Sequence, residues 1–315
     1  MTTTQPVLVT DDGGPGLSLW RGAWQRLRRN PTAIAGAVIV LLFVVVALAA
    51  PLLTPYQPAS TQWTDKITPT EVPGPYKGHV LGLDRYGSDL LTQLLYGARQ
   101  SLVYGVISTA LGLVVGTALG VLAGGFGSLA HLSGGRVGRW FNAIDNATMR
   151  LVDILLSIPS LLMAVSIAAV LGQNSYSVMI AIGSAQVPIF ARLLRGSMLS
   201  QGRGDYVLAA NALGIKPRRI VMGHVLPNSV GPTIVQATLN LATAIIEVAA
   251  LSFLGLGQAD PAVAEWGRML VAAQERFGQA PRLALYPGAC IAITALGFTL
   301  LGEAMREALD PRTRR

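Results

Sequence analysis

The 315-residue chain has one cysteine, three histidines and three lysines. A single cysteine, Cys290, excludes an intrachain disulfide. It lies in an apolar stretch, where it reads as a small packing residue. The histidines, His79, His131 and His224, are far apart in sequence. They offer no spacing for a zinc or nickel site, and no Ser-His-Asp or Cys-His grouping is evident. The lysines, Lys66, Lys77 and Lys216, do not fall in any G-x-x-x-x-G-K-[ST] phosphate loop, so the chain carries no ATP-hydrolysing motif of that kind. Charged residues make up only 13% of the chain. Hydrophobic residues make up 51%, and the mean hydropathy is +0.50, too apolar for a soluble domain of this length. The composition is that of an all-α polytopic membrane protein.

Six apolar segments are long enough to cross a bilayer: Ala33 to Leu53, Leu102 to Phe126, Leu151 to Leu171, Val178 to Leu194, Val230 to Leu254 and Leu283 to Leu301. The net charge of +8 sorts by side. Of the 24 Lys and Arg residues, 17 fall in or flank the N-terminal tail, the loop between spans two and three, the loop between spans four and five, and the C-terminal tail. Seven fall on the other side. The positive-inside bias puts both termini in the cytoplasm, in a plasma (inner) membrane, and an even number of spans agrees. Ala47-Leu48-Ala49 resembles a signal-peptidase site, but the apolar run is too long for a signal core, so span one reads as an uncleaved anchor.

This divides the chain into a cytoplasmic tail (1–32), a first span (33–53), an extracytoplasmic segment (54–101), a five-helix core (102–305) and a short cytoplasmic tail (306–315). Within the tail, Met1 to Gly16 is polar and reads as disordered. Leu17 to Asn30, with Trp20, Trp24 and four arginines, reads as an amphipathic helix on the inner leaflet. The core holds a cytoplasmic loop (196–229) and an extracytoplasmic loop (255–282). In the extracytoplasmic segment, the stretch through Tyr76 reads as loop and Leu90 to Arg99 as an amphipathic helix. Span two carries Gly112, Gly116, Gly120 and Gly124 on one helical face, a surface for close helix packing. Pro159 and Pro188 should bend spans three and four. In span five, Gln236, Asn240, Thr243 and Glu247 form one polar stripe. Such a stripe either lines a translocation path or joins helices by hydrogen bonds. Glu247 falls toward the outer end.

The most specific stretch is Asp205 to Asn228, a polar helix-turn-helix between spans. Tyr206 to Leu213 is helical, with the small pair Ala209 and Ala210. Gly214 ends that helix, Pro217 opens the next, and His224, Leu226, Pro227 and Asn228 close the module. His224 reads as part of the turn, bonding backbone carbonyls. A DNA-binding helix-turn-helix fits the same residues loosely, but it would need a soluble domain around it. The module resembles the EAA loop of ABC importer permeases, with Leu208 where that family has Glu.

The resemblance extends along the chain from Arg28 to Arg312. His79-Val80-Leu81-Gly82-Leu83-Asp84, Gly87-Ser88-Asp89 and Tyr96-Gly97-Ala98-Arg99 resemble the HPLGTD, GRD and YGAR marks of the C-type permeases of the dipeptide/oligopeptide/nickel importer family, with Ser88 where Arg is usual. Leu251 to Gly257, Trp266-Gly267, Met269-Leu270, Leu283 to Gly288 and Leu309-Asp310-Pro311-Arg312 resemble the same family. The resemblance implies a type I ABC importer fold and a heterodimer with a B-type permease. It also implies two ATPase subunits carrying ATP and Mg, and an extracytoplasmic binding protein that delivers peptide. No cofactor or nucleic acid is expected on this chain. Nickel or another small solute is the alternative cargo, and a secondary transporter using Asp153, Glu247 or Glu303 is the alternative machine.

Overall fold

The computed structural model describes residues 19–133, 135–260 and 262–309. The helices, in chain order, are α1 (Leu19–Leu27), α2 (Pro31–Leu53), α3 (Leu90–Ser133), α4 (Gly135–Leu156), α5 (Ser160–Leu171), α6 (Ser175–Gln201), α7 (Asp205–Ala212), α8 (Pro217–Ile220), α9 (Leu226–Ser229), α10 (Gly231–Phe253), α11 (Trp266–Gln274) and α12 (Arg282–Leu309). Among the described residues there is no strand, only two isolated bridges, Tyr76 with His79 and Leu83 with Asp89. Five helices (α2, α3, α6, α10 and α12) are long and apolar enough to cross a membrane, and α4 with α5 meet the same test only together, as a sharply bent pair.

The expected amphipathic helix at Leu90 to Arg99 is not separate. It is the first part of α3, a single helix of 44 residues. Nothing between Arg99 and Leu102 breaks it. Its start is held by Asp89, whose Oδ2 accepts from the Thr92 N–H at 2.8 Å and the Thr92 hydroxyl at 2.7 Å. At about 1.5 Å per residue α3 is about 66 Å long, roughly twice an apolar bilayer core, so both ends stand outside it.

Span three also differs from the expected continuous helix. It breaks between α4 and α5 with a bend of 88°. Pro159 is the N-cap of α5. A proline disfavours helical backbone in the residue before it, so α4 stops ahead of Ile158 and α5 restarts after it. Pro188, by contrast, lies buried within α6, which runs unbroken from Ser175 to Gln201.

Along the α3–α6 seam the two helix backbones approach closely. A Cβ on Gly116 would lie 2.5 Å from the Val187 carbonyl oxygen, and one on Gly112 would lie 2.8 Å from that of Gly183. Gly120 and Gly124 continue the line against Leu194 and Met198. Lipid tails supply no hydrophobic drive between helices, so dispersion contact at this separation supplies the attraction.

Outside the membrane core, the loop before α3 wraps around His79, which is 3% exposed. Tyr56, Trp63 and Tyr76 surround its ring with centroid distances of 5.1, 4.3 and 4.7 Å. His79 Nδ1 lies 2.8 Å from Asp89 Oδ1, joining the loop to the carboxylate that caps α3. α11 caps the same end. Its Trp266 is fully buried and donates from Nε1 to the Leu94 carbonyl at 3.1 Å, and a Cβ on Gly97 would clash with the indole at 2.8 Å. The YGAR and Trp266-Gly267 stretches thus meet in space.

At the other end, Arg26 of α1 donates from Nη2 to the Ala308 carbonyl at 2.6 Å, capping the C-terminus of α12. Trp24 is 54% exposed on α1, while residues 1–18, the side chain of Trp20, and Asp310 to Arg315 lie outside the described residues.

Candidate functional site

The Asp205–Asn228 module folds between the C-terminal end of α6 and the N-terminal end of α10. α7 begins at Asp205 and ends at Ala212, one residue earlier at each end than the expected helix. Its end is a Schellman turn: Gly214 N–H donates to the Asn211 carbonyl at 3.0 Å, and Ile215 N–H to that of Ala210 at 3.2 Å. Gly214 takes φ +75°, which an L side chain rarely adopts. Pro217 opens α8 at N1, where its missing N–H costs nothing.

A π turn, Val221–Val225, follows α8. Pro227 explains it, because it lacks the N–H that would bond the Gly223 carbonyl and its ring crowds that carbonyl. The His224 side chain stands exposed on this turn and makes no hydrogen bond among the described residues, so it does not serve the turn's carbonyls as expected. Pro227 and Asn228 are exposed and Leu226 is half-buried.

One side of the module is fixed and the other is presented. Val207, Ile220, Val221 and Val225 are buried in a cluster with Leu194 and Met198 of α6, and Ala210 packs against it. Tyr206, Leu208 and Leu213 are 40, 54 and 81% exposed, beside exposed Asp205 and Ala209. Large apolar side chains on a polar loop are costly in water unless something covers them.

The polar stripe of α10 divides. Gln236 Nε2 donates to Asn240 Oδ1 at 2.8 Å, and Asn240 Nδ2 donates to Gln186 Oε1 of α6 at 3.3 Å. Asn240 and Gln186 are 3 and 2% exposed, so this half joins helices. Thr243 is exposed, its hydroxyl donating to the Asn240 carbonyl at 3.0 Å. Glu247 is half-buried and accepts from the Ser160 hydroxyl at 2.8 Å, at the first turn of α5 where the broken span restarts.

Sequence reasoning missed Gln186, Ser160 and the ion pair of Arg192 with Asp153, each partner about half exposed on α6 and α4. Gln186 and Arg192 were visible as polar interruptions of span four. Their partners lie 54 and 39 residues away, which spacing along one helix does not reveal.

Two carboxylates outside the membrane spans are displaced upward in pKa by burial. Glu265 is the N-cap of α11, and the N–H groups of Gly267 and Arg268 donate to it at 2.7 and 2.9 Å, only partly offsetting its desolvation. Asp84 is raised by burial in the same way, against N–H donors from Ser88 and Tyr86. Among the described residues no group of three His, Cys, Asp or Glu side chains is placed to hold a metal ion.

Residues 116–315 match the family model of binding-protein-dependent transport system inner membrane components, and residues 18–70 match that of the N-terminal transmembrane domain of oligopeptide transport permease C. The chain is 40% identical to a dipeptide transport system permease protein DppC of Alkalihalophilus pseudofirmus, over 96% of this chain and 93% of that one. It is 39% identical to a di/tripeptide transport system permease protein DppC of Pseudomonas aeruginosa, over 92 and 91% of the two chains. A glutathione transport system permease protein GsiD of Pectobacterium atrosepticum is 35% identical over 93 and 91%. A structure of the MetNI methionine ABC transporter in an inward-facing conformation shares the fold with TM-score 0.53 at 19% identity, covering 70% of this chain and 98% of that one. With its sharply bent α4–α5 pair and its helical module between α6 and α10, this chain belongs to the inner membrane components of binding-protein-dependent transport systems, within the DppC/OppC-like branch of ABC permeases.

Proposed function

We propose that the chain is the C-type permease subunit of an ATP-driven importer of di- and oligopeptides. One observation carries the reading: a short helix anchored by Val207 turns Tyr206, Leu208 and Leu213 outward from a loop between two membrane helices. In this reading α7 docks into a groove of an ATPase subunit. ATP and Mg belong to two such partners, and this chain hydrolyses nothing. A B-type permease completes the path, and a binding protein delivers peptide from the side of the His79 loop. Both termini and the α7 module then face the cytoplasm, as the arginine distribution favours. Leu208 replaces the family's Glu, so the contact at that position is apolar.

The path itself is assigned to Thr243, Glu247 and the Asp153–Arg192 pair. A half-exposed ion pair on membrane helices is costly against lipid and is accommodated beside water or protein. Gln236 and Asn240, bonded to α6, hold that wall in place. The relatives named for dipeptides, di/tripeptides and glutathione support a short peptide as cargo.

The test is uptake of labelled di-, tri- and pentapeptides by cells lacking the chain and by the same cells with it restored, with nickel in parallel. Peptide uptake lost and regained supports the reading. Unchanged peptide uptake with nickel lost overturns the cargo, and uptake that survives loss of the partner ATPase's catalytic carboxylate overturns the machine.

A further inference from the structure

Below the glycine seam, the inner ends of α3, α4 and α6 enclose a polar cavity of about 380 Å³. That volume falls within the range of about 300–1,000 Å³ typical of small-molecule pockets. Its floor is the ion pair of Asp145 and Arg195. Arg195 donates from Nε at 3.0 Å and from Nη2 at 2.8 Å to the two carboxylate oxygens. Asp145 is only 4% exposed, and Gly127 makes room for it, since a Cβ there would lie 2.8 Å from Asp145 Oδ2. The cavity wall includes Ser128, 3% exposed, whose hydroxyl has no hydrogen-bond partner. Arg203, His131 and Asn142 line the mouth, all exposed. Arg203 and His131 have no side-chain partner among the described residues.

The charge of this cavity is informative. Asp145 and Arg195 cancel, which leaves the guanidinium of Arg203 as the uncompensated charge, with a buried hydroxyl and an amide as further donors. A singly charged phosphodiester matches that set. A zwitterionic headgroup would also need an acid for its ammonium, and the one acid lining the cavity is committed to Arg195. The surface beside the cavity points the same way. The adjoining face of α4 exposes Arg136, Arg139 and Trp140, the last 74% exposed, a combination suited to the headgroup layer. We propose that this cavity holds the phosphate of an anionic phospholipid, gripped by Ser128 of α3 and by Arg203, two residues ahead of α7. Bound there, the lipid fixes the point where the coupling module leaves α6.

The experiment uses the complete importer complex, stripped of lipid in mild detergent, with native mass spectrometry of added phosphatidylglycerol, phosphatidylcholine or inorganic phosphate. For the intact complex, phosphatidylglycerol is expected to bind about tenfold more tightly than phosphatidylcholine. Arg203→Gln should erase that preference and Ser128→Ala should weaken it about threefold, the scale of one charge-assisted and one neutral hydrogen bond. Arg203→Lys should keep part of it. Thermal unfolding of the lipid-free variants should match the parent, which separates loss of the site from loss of the fold. Equal binding of the two lipids, or unaltered binding by both Arg203→Gln and Ser128→Ala, overturns the proposal. Saturable binding of inorganic phosphate that Arg203→Gln abolishes, without a lipid preference, upholds the phosphate chemistry and overturns the lipid as its source. None of these outcomes depends on the identity of the transported cargo.

Discussion

Replacing Gly116 by alanine is expected to be the most damaging single-methyl change along the α3–α6 seam. The added Cβ would sit 2.5 Å from the Val187 carbonyl oxygen, 2.6 Å from Phe190 Cβ and 3.3 Å from the Ala191 nitrogen. Ordinary contact begins at 3.4 Å, so the helices must part by up to 0.9 Å, and two of the three obstacles are backbone atoms that no rotamer change can move. A gap of 0.5–1 Å forfeits roughly a quarter to a half of each dispersion well, and overpacking of a well-packed interior costs about 1–3 kcal/mol. The upper end applies here because the displacement is shared by the whole seam. At Gly124 the nearest atoms are Met198 Cβ and Sδ at 3.0 Å and the backbone Arg195 Cα at 3.1 Å, so the helices need part by only 0.3–0.4 Å. Gly124→Ala should therefore cost under about 1 kcal/mol. Thermal unfolding of the purified complex in nanodiscs, followed by tryptophan fluorescence, measures the pair. Equal midpoints for Gly116→Ala and Gly124→Ala would refute the reasoning, because they would show that α3 and α6 do not pack through this line.

Leu213→Glu changes a side chain that is 81% exposed, so the fold should be intact while co-purification of the ATPase and peptide uptake fall by at least tenfold, as a central docking contact requires. Normal uptake would remove α7 as the coupling element. Gly214→Val forces a β-branched residue to φ +75°, costing about 1–2 kcal/mol and unwinding the end of α7, which limited proteolysis of the loop should detect as faster cleavage. Glu265 carries a pKa raised by burial, so the folded state holds its proton more tightly than the unfolded chain. Its contribution is fully favourable below the ordinary value of 4.5 and is lost as pH rises through the raised one. Unfolding midpoints measured against external pH should fall over that window and should fall less in Glu265→Gln.

The helical architecture was largely legible because its causes are local. Runs of about 20 apolar residues can only be satisfied in lipid as helices, so the five long apolar helices could be marked from composition, while the third expected span is bent by 88° between α4 and α5. The glycines at 112, 116, 120 and 124 announced a packing face by their four-residue spacing. The Schellman turn at Gly214 and the helix start at Pro217 were readable for the same reason, since caps depend on a few adjacent residues.

What sequence could not supply was the partner of each polar group. Asn240 faces Gln186, Glu247 faces Ser160, Asp145 faces Arg195 and His79 faces Asp89, pairs set by how helices and loops dock. The stripe on α10 therefore read as one feature, and only tertiary packing divides it into Gln236 and Asn240, bonded toward α6, and an outer half in which Thr243 is exposed and half-buried Glu247 bonds α5. The break before α5 belongs to the same class. Proline marks where a helix can fail, but whether it stops, as at Pro159, or carries on, as at Pro188, depends on packing that compensates the lost hydrogen bond. Hydropathy and backbone chemistry act within one segment, and the sequence by itself determined what they control: which segments are apolar helices, and local turns such as those at Gly214 and Pro217. Contacts between segments act across dozens of residues, and only the tertiary structure decided which polar groups are buried, which are presented and where a cavity opens.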